Sequence, residues 1–173
     1  MSVKRMQSFV TVQPGETTSC VGCHEHRPRA PHLRNISLLD AMKRPPSRIE
    51  PYENLPDVLD FPRDIQPIFD RHCVKCHNHD RSDGDVNLSG DRTPFYSTAY
   101  WTMFSKSLVV DGRNKYGNHD PRTIGTSASR LMTCLDKSHY DVKVSDQERY
   151  TIRTWIDSGA TFSGTYACLG TGM

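Results

Sequence analysis

The chain of 173 residues contains no run of 18 apolar residues, so no segment is long and apolar enough to cross a bilayer as a helix. Apolar residues are scarce throughout: 35% are hydrophobic and the mean hydropathy is −0.64. That is thin for a core built from side chains alone, and it favours a protein that packs around a large apolar cofactor. No basic tract runs five residues or longer, so the electrostatic footprint of nucleic-acid binding is missing. Met1 to Val10 carries two basic residues with no apolar segment behind them, so it does not read as a secretory leader. Neither a Gly-rich phosphate loop nor a Ser/His/Asp arrangement is visible.

What the chain does have is cysteine in ordered pairs. The six cysteines stand at 20/23, 73/76 and 134/168. The first two pairs each end in histidine, as Cys20-Val21-Gly22-Cys23-His24 and Cys73-Val74-Lys75-Cys76-His77. This is the attachment pattern of c-type haem. Two thiols about one helical turn apart reach the vinyl groups on the porphyrin edge, and the next residue ligates the iron from below. The expected cofactors are therefore two c-type haems. Cys20, Cys23, Cys73 and Cys76 would supply the thioethers, and His24 and His77 the proximal ligands. A four-cysteine zinc site would need the pairs closer together and would leave both histidines as coincidence. A dithiol redox centre accounts for one pair only.

Haem of this type is attached outside the cytoplasmic membrane, so a periplasmic or extracellular location is expected. The chain is then a processed product or part of a longer precursor. In an oxidising compartment the remaining pair, Cys134 and Cys168, suggests a disulfide, the alternative being two buried free thiols. Its loop of about 34 residues would add roughly 3–4 kcal/mol on the chain-entropy account. The net charge of +2 would move toward neutral or acidic once haem propionates are counted.

Along the chain, Phe9 to Val12 reads as a short strand or extended lead-in, and Pro14-Gly15 as a turn. Ser37 to Arg44 is a possible short helix stopped by Pro45-Pro46. Five prolines between 45 and 62 mark a linker. Asp64 to Cys73 has helical spacing through Ile65, Ile68, Phe69 and His72, with Asp64 as cap and Pro67 in the first turn. Ser97 to Leu108 predicts a helix with Tyr100, Trp101, Phe104 and Leu108 on one face. Ser127 to Lys137 predicts another, with Leu131, Met132 and Leu135. The clearest is the last: Ser145 and Glu148 form a capping box, Ile152, Trp155 and Ile156 follow helical spacing, and Gly159 ends it. Loops fill 80–94 and 111–125.

The stretch from Asp64 to Ala160 is similar in plan to a class I cytochrome c, in which a later loop supplies the distal ligand and a C-terminal helix closes the fold. The resemblance implies that His139 stands where a methionine usually does and pairs with His77, since Met132 lies inside a helix. For the first haem His119, His72 and His32 are all candidates, beside a ligand from another subunit or an open iron. His26 is too close to His24 to swing over the ring, and His79 reads as surface.

Several pieces resemble the C-terminal dihaem part of hydrazine synthase alpha-subunit-like proteins of planctomycetes and related bacteria. They are Cys20 to Glu25, Arg44-Pro45-Pro46-Ser47, Asp64 to His77, Trp155-Ile156-Asp157 and Phe162-Ser163-Gly164-Thr165-Tyr166. In that family one haem is catalytic and the other is a bis-histidine relay. The resemblance implies the relay role for the His77 haem. The catalytic haem of the family has a tyrosine close behind its motif, whereas Glu25 to His32 here has none and the next downstream is Tyr52. The family's propeller-bearing region also has no counterpart in these residues.

The expected fold is mostly α-helical with long loops: a class I cytochrome c-like lobe over 53–173, and a smaller haem-binding segment over 1–52 packed on it. The expected function is electron transfer between closely spaced haems rather than catalysis. Partners would be redox proteins or further copies of the chain, the latter stacked as an extracellular haem filament, with no nucleic acid and no membrane span. A haem enzyme acting on a small nitrogen or oxygen compound at an open first haem is the alternative.

Overall fold

The computed structural model describes residues 13–16, 43–45, 48, 50–111 and 120–164. The chain divides into two compact units, Gln7–Pro51 and a larger one made of Met1–Met6 with Tyr52–Met173, so the division falls inside the proline-bearing stretch. Within the smaller unit Pro14-Gly15 forms the expected turn, with Gly15 at φ 80°. Lys43 and Arg44 form a bend. The lead-in Phe9–Val12, residues 37–42 of the possible helix and the first Cys-Cys-His motif lie outside the described residues.

The larger unit is built from short helices joined by irregular loops. Its first helix opens earlier than Asp64, with a π-helical turn over Phe61–Ile65 that continues as α1, Gln66–His72. The cap is Asp60, whose side chain accepts from the Arg63 N–H at 3.2 Å, while Asp64 accepts from the Asp60 N–H at 2.7 Å. Proline explains the wide turn. Pro67 has no N–H for the ladder and its ring crowds the preceding turn. The chain widens there, and the Gln66 N–H reaches back to the Phe61 carbonyl.

Helix α2 covers Thr98–Ser105, with the Ser97 hydroxyl accepting from the Tyr100 N–H. Tyr100 and Leu108 are buried as expected and Phe104 packs against the core, but Trp101 is 63% exposed and does not share their face. The expected helix over 127–137 shrinks to α3, Leu131–Cys134, preceded by a 3₁₀ turn at Gly125–Ser127. The cause lies at both ends. The Ser129 hydroxyl donates to Gly125 O and accepts from the Val110 N–H, tying the entry to another loop. At the exit, the Arg149 guanidinium takes the Leu135 carbonyl at 2.6 Å.

Helix α4, Asp146–Asp157, matches expectation, including the reciprocal bonds of Ser145 and Glu148 and the residues Ile152, Trp155 and Ile156 turned inward. Its C-terminal end is fixed by Asp157, which accepts from the Thr126 N–H and hydroxyl, each at 3.0 Å.

Helix α4 and the Phe61 turn meet across an aromatic cluster. Phe61 lies 5.3 Å from Trp155 and 5.2 Å from Tyr100 between ring centres, with Phe162 and Phe69 at the margin. The two polar atoms in this cluster are satisfied: Tyr100 donates to Ala160 O at 2.8 Å and Trp155 Nε1 to Thr161 O at 2.9 Å. Gly164 closes the cluster because a side chain there would run into Val58 and the Leu59 carbonyl. Among the described residues no helix is long and apolar enough to cross a membrane.

Candidate haem-binding site

The second Cys-Cys-His motif follows α1 directly. The Cys73 and Val74 N–H groups both reach the Phe69 carbonyl, and the Cys76 and His77 N–H groups both reach the Cys73 carbonyl at 3.0 Å. The backbone therefore coils tightly through the motif and keeps Cys73, Cys76 and His77 on one short arc. The following loop holds that arc in place: Leu88 N–H donates to His77 O, Asp83 N–H to Cys76 O, and the Asn78 amide to Val74 O.

Opposite His77 stands His139. The two imidazole planes are within 10° of parallel and their centres are 6.0 Å apart. Offset rings in contact have centres roughly 4.5–7 Å apart. A metal ion held between two imidazole nitrogens sets a similar span. With about 2.0–2.1 Å per metal–nitrogen bond and about 1.1 Å from each nitrogen to its ring centre, the centres fall about 6.2 Å apart. The observed separation fits that span. His77 Nδ1 is also buried with no hydrogen-bond partner, which is rare for a buried polar atom in native proteins. The ring separation is compatible with residues that hold a metal-bearing group.

The distal side is a tight loop. His139 N–H donates to Asp136 O and Val142 N–H to His139 O. Tyr140 and Asp141 follow at φ 51° and 56°, in the left-handed region that side chains with a Cβ avoid. The Tyr140 ring stands edge-on to His139 at 5.2 Å and is 92% exposed.

The thiols share this neighbourhood. Burial, with the Cys134 and Cys76 thiols adding to it, pushes the Cys73 thiol up to about 12. Such a thiol stays protonated and is a poor nucleophile. Cys134 is a half-buried free thiol, and its expected partner Cys168 lies outside the described residues. Cys20, Cys23, His24, His26, His32 and His119 lie outside them too. Among the described residues no group of three or more His, Cys, Asp or Glu side chains could hold a metal ion.

His72 is engaged elsewhere. Its Nε2 lies 3.1 Å from both Glu148 carboxylate oxygens, and Arg71 donates to the same group at 2.8 Å. Burial pushes the Glu148 carboxyl upward, but hydrogen bonds from the Ser145 backbone, Arg71, the Ser145 hydroxyl and His72 outweigh it and hold the group at about 2. His79 is on the surface, 2.8 Å from Asp91.

Sequence reasoning missed Arg149. It donates to Asp136 Oδ1 and to the Leu135 and Met132 carbonyls, so it grips the loop that leads to His139. Nothing in the spacing marks it, because its partners, two carbonyls and one carboxylate, belong to another segment.

No family model matches the chain and no solved structure does. The sequence is 30% identical over 131 residues to hydrazine synthase subunit alpha of Kuenenia stuttgartiensis, covering 59% of this chain and 15% of that protein. The chain thus spans a small fraction of the length of this curated relative, and the likeness is a distant relationship to an enzyme subunit.

Proposed function

We propose that this chain is a c-type cytochrome outside the cytoplasmic membrane that carries two haems and moves electrons. The observation that supports this most is the pair of near-parallel imidazoles 6.0 Å apart, one from the second haem motif and one from a loop far along the chain. Cys73 and Cys76 would hold the second haem covalently, and His77 and His139 would bind its iron, in a class I cytochrome c-like lobe. A haem bound there supplies reversible one-electron exchange at iron. The protein's part is to fix both imidazoles, exclude bulk water from the buried side and leave the Tyr140 edge open. Two imidazoles favour the ferric state more than a histidine and a thioether do, so the site suits a low potential. The contact of His72 Nε2 with Glu148 counts against His72 as the distal ligand of the first haem.

The relationship to hydrazine synthase subunit alpha favours a second reading, a haem enzyme whose first iron is open to a small substrate. Spectra of the purified holoprotein separate the two. Two low-spin haems that ignore carbon monoxide support the electron carrier. One high-spin haem that binds carbon monoxide when reduced supports the enzyme. A colourless protein defeats both.

A further inference from the structure

We infer that Arg149 is the positioning residue for the distal ligand of the second haem, clamping to α4 the loop that presents His139. The inference rests on the His77/His139 reading above and adds what holds that pair at its separation.

Helix α4 carries two adjacent charged residues that grip opposite sides of the site. Glu148 binds Arg71 and His72, the last two residues of α1 before the Cys73 motif. Arg149 binds Met132 O, Leu135 O and Asp136 Oδ1, and the His139 N–H in turn hangs from Asp136 O. One turn of one helix thus reaches both the proximal arc and the distal loop.

The distal loop needs such a hold. Tyr140 and Asp141 form the only consecutive pair of non-glycine residues at positive φ among the described residues. Each costs conformational energy that persists only where surrounding contacts over-determine it. The carbonyls that Arg149 takes are those left over where α3 ends, and a charged donor binds them more strongly than a neutral one. Release of the guanidinium would free the loop to relax and carry His139 away from His77.

The test uses the holoprotein in three forms: wild type, Arg149→Gln and Arg149→Lys, with His139→Ala as reference. The readouts are the high-spin fraction of the ferric spectrum and the rate of carbon monoxide binding to the reduced protein. His139→Ala is expected to turn the second haem high-spin. Arg149→Gln is expected to raise the carbon monoxide rate about tenfold or more, and Arg149→Lys to restore part of the loss. Added imidazole should return Arg149→Gln to low spin. Should Arg149→Gln fail to fold, Asp136→Ala, which leaves the carbonyl contacts, is expected to raise the rate about threefold. A high-spin His139→Ala beside wild-type rates in the Arg149 variants, or in Asp136→Ala where that stands in, overturns the clamp alone. A low-spin His139→Ala overturns the ligand pair and the clamp with it.

Discussion

The two ends of helix α4 face unlike surroundings. Around Trp155 the protein closes on itself: Phe61, Tyr100 and Phe162 meet ring to ring, and the tyrosine and indole polar atoms each find a carbonyl. Around His77 and His139 it does not. The rings stand apart, His77 Nδ1 has no partner, three thiols are only half-buried, and the loop beyond His139 is strained. The scarcity of apolar side chains is therefore not spread evenly. One end has a side-chain core, and the other is arranged as if its apolar contents come from a bound group.

The comparison can be broken at the aromatic end first, where the effect should be largest. Trp155 is fully buried, and Trp155→Ala should cost about 3–5 kcal/mol in denaturant unfolding of the holoprotein. The absorption of the surviving folded fraction should be unchanged, since the indole packs on Phe61 and Tyr100 at the far end of α4. A shifted haem spectrum in that fraction would mean that the two ends are not separate.

At the other end, His139→Met should leave stability nearly intact and move the reduction potential upward. The shift should be on the order of 0.1 V, within the roughly 0.8 V that axial ligands command, and redox titration would read it. An unmoved potential would remove His139 from the iron.

At the same end as the histidines, Glu148 ties α4 to the close of α1 through a carboxyl held at about 2, below its usual value of 4.5. A carboxyl depressed in the folded state adds stability that is present above pH 4.5 and lost as the pH falls toward 2. Glu148→Gln should therefore be less stable than wild type at neutral pH by about 1–2 kcal/mol, because Arg71 stands half in solvent and is screened. The difference should close in acid, and a gap independent of pH would contradict the linkage.

Much of this was legible in the sequence where chemistry is local. The capping box of Ser145 and Glu148 and the inward face of α4 depend on neighbours a few residues apart, and each is found where spacing puts it. The approach of His139 to His77 was an expectation from resemblance to a fold plan, and the ring geometry is compatible with it. What spacing could not give depends on partners far along the chain. Asp60 displaced Asp64 as cap because Pro67 widens the turn, Trp101 faced outward because α2 buries Tyr100 and Met103 instead, and α3 was cut short by Ser129 and Arg149. None of these competitions leaves a periodic mark.

Peptide mapping of the purified protein after mild alkylation, with the intact mass, bears most directly on the covalent attachment. The account expects two haem masses added to the chain. Cys20, Cys23, Cys73 and Cys76 should be blocked, each pair on a haem-bearing peptide. A chain at the bare polypeptide mass, with those four thiols open to alkylation, would contradict it.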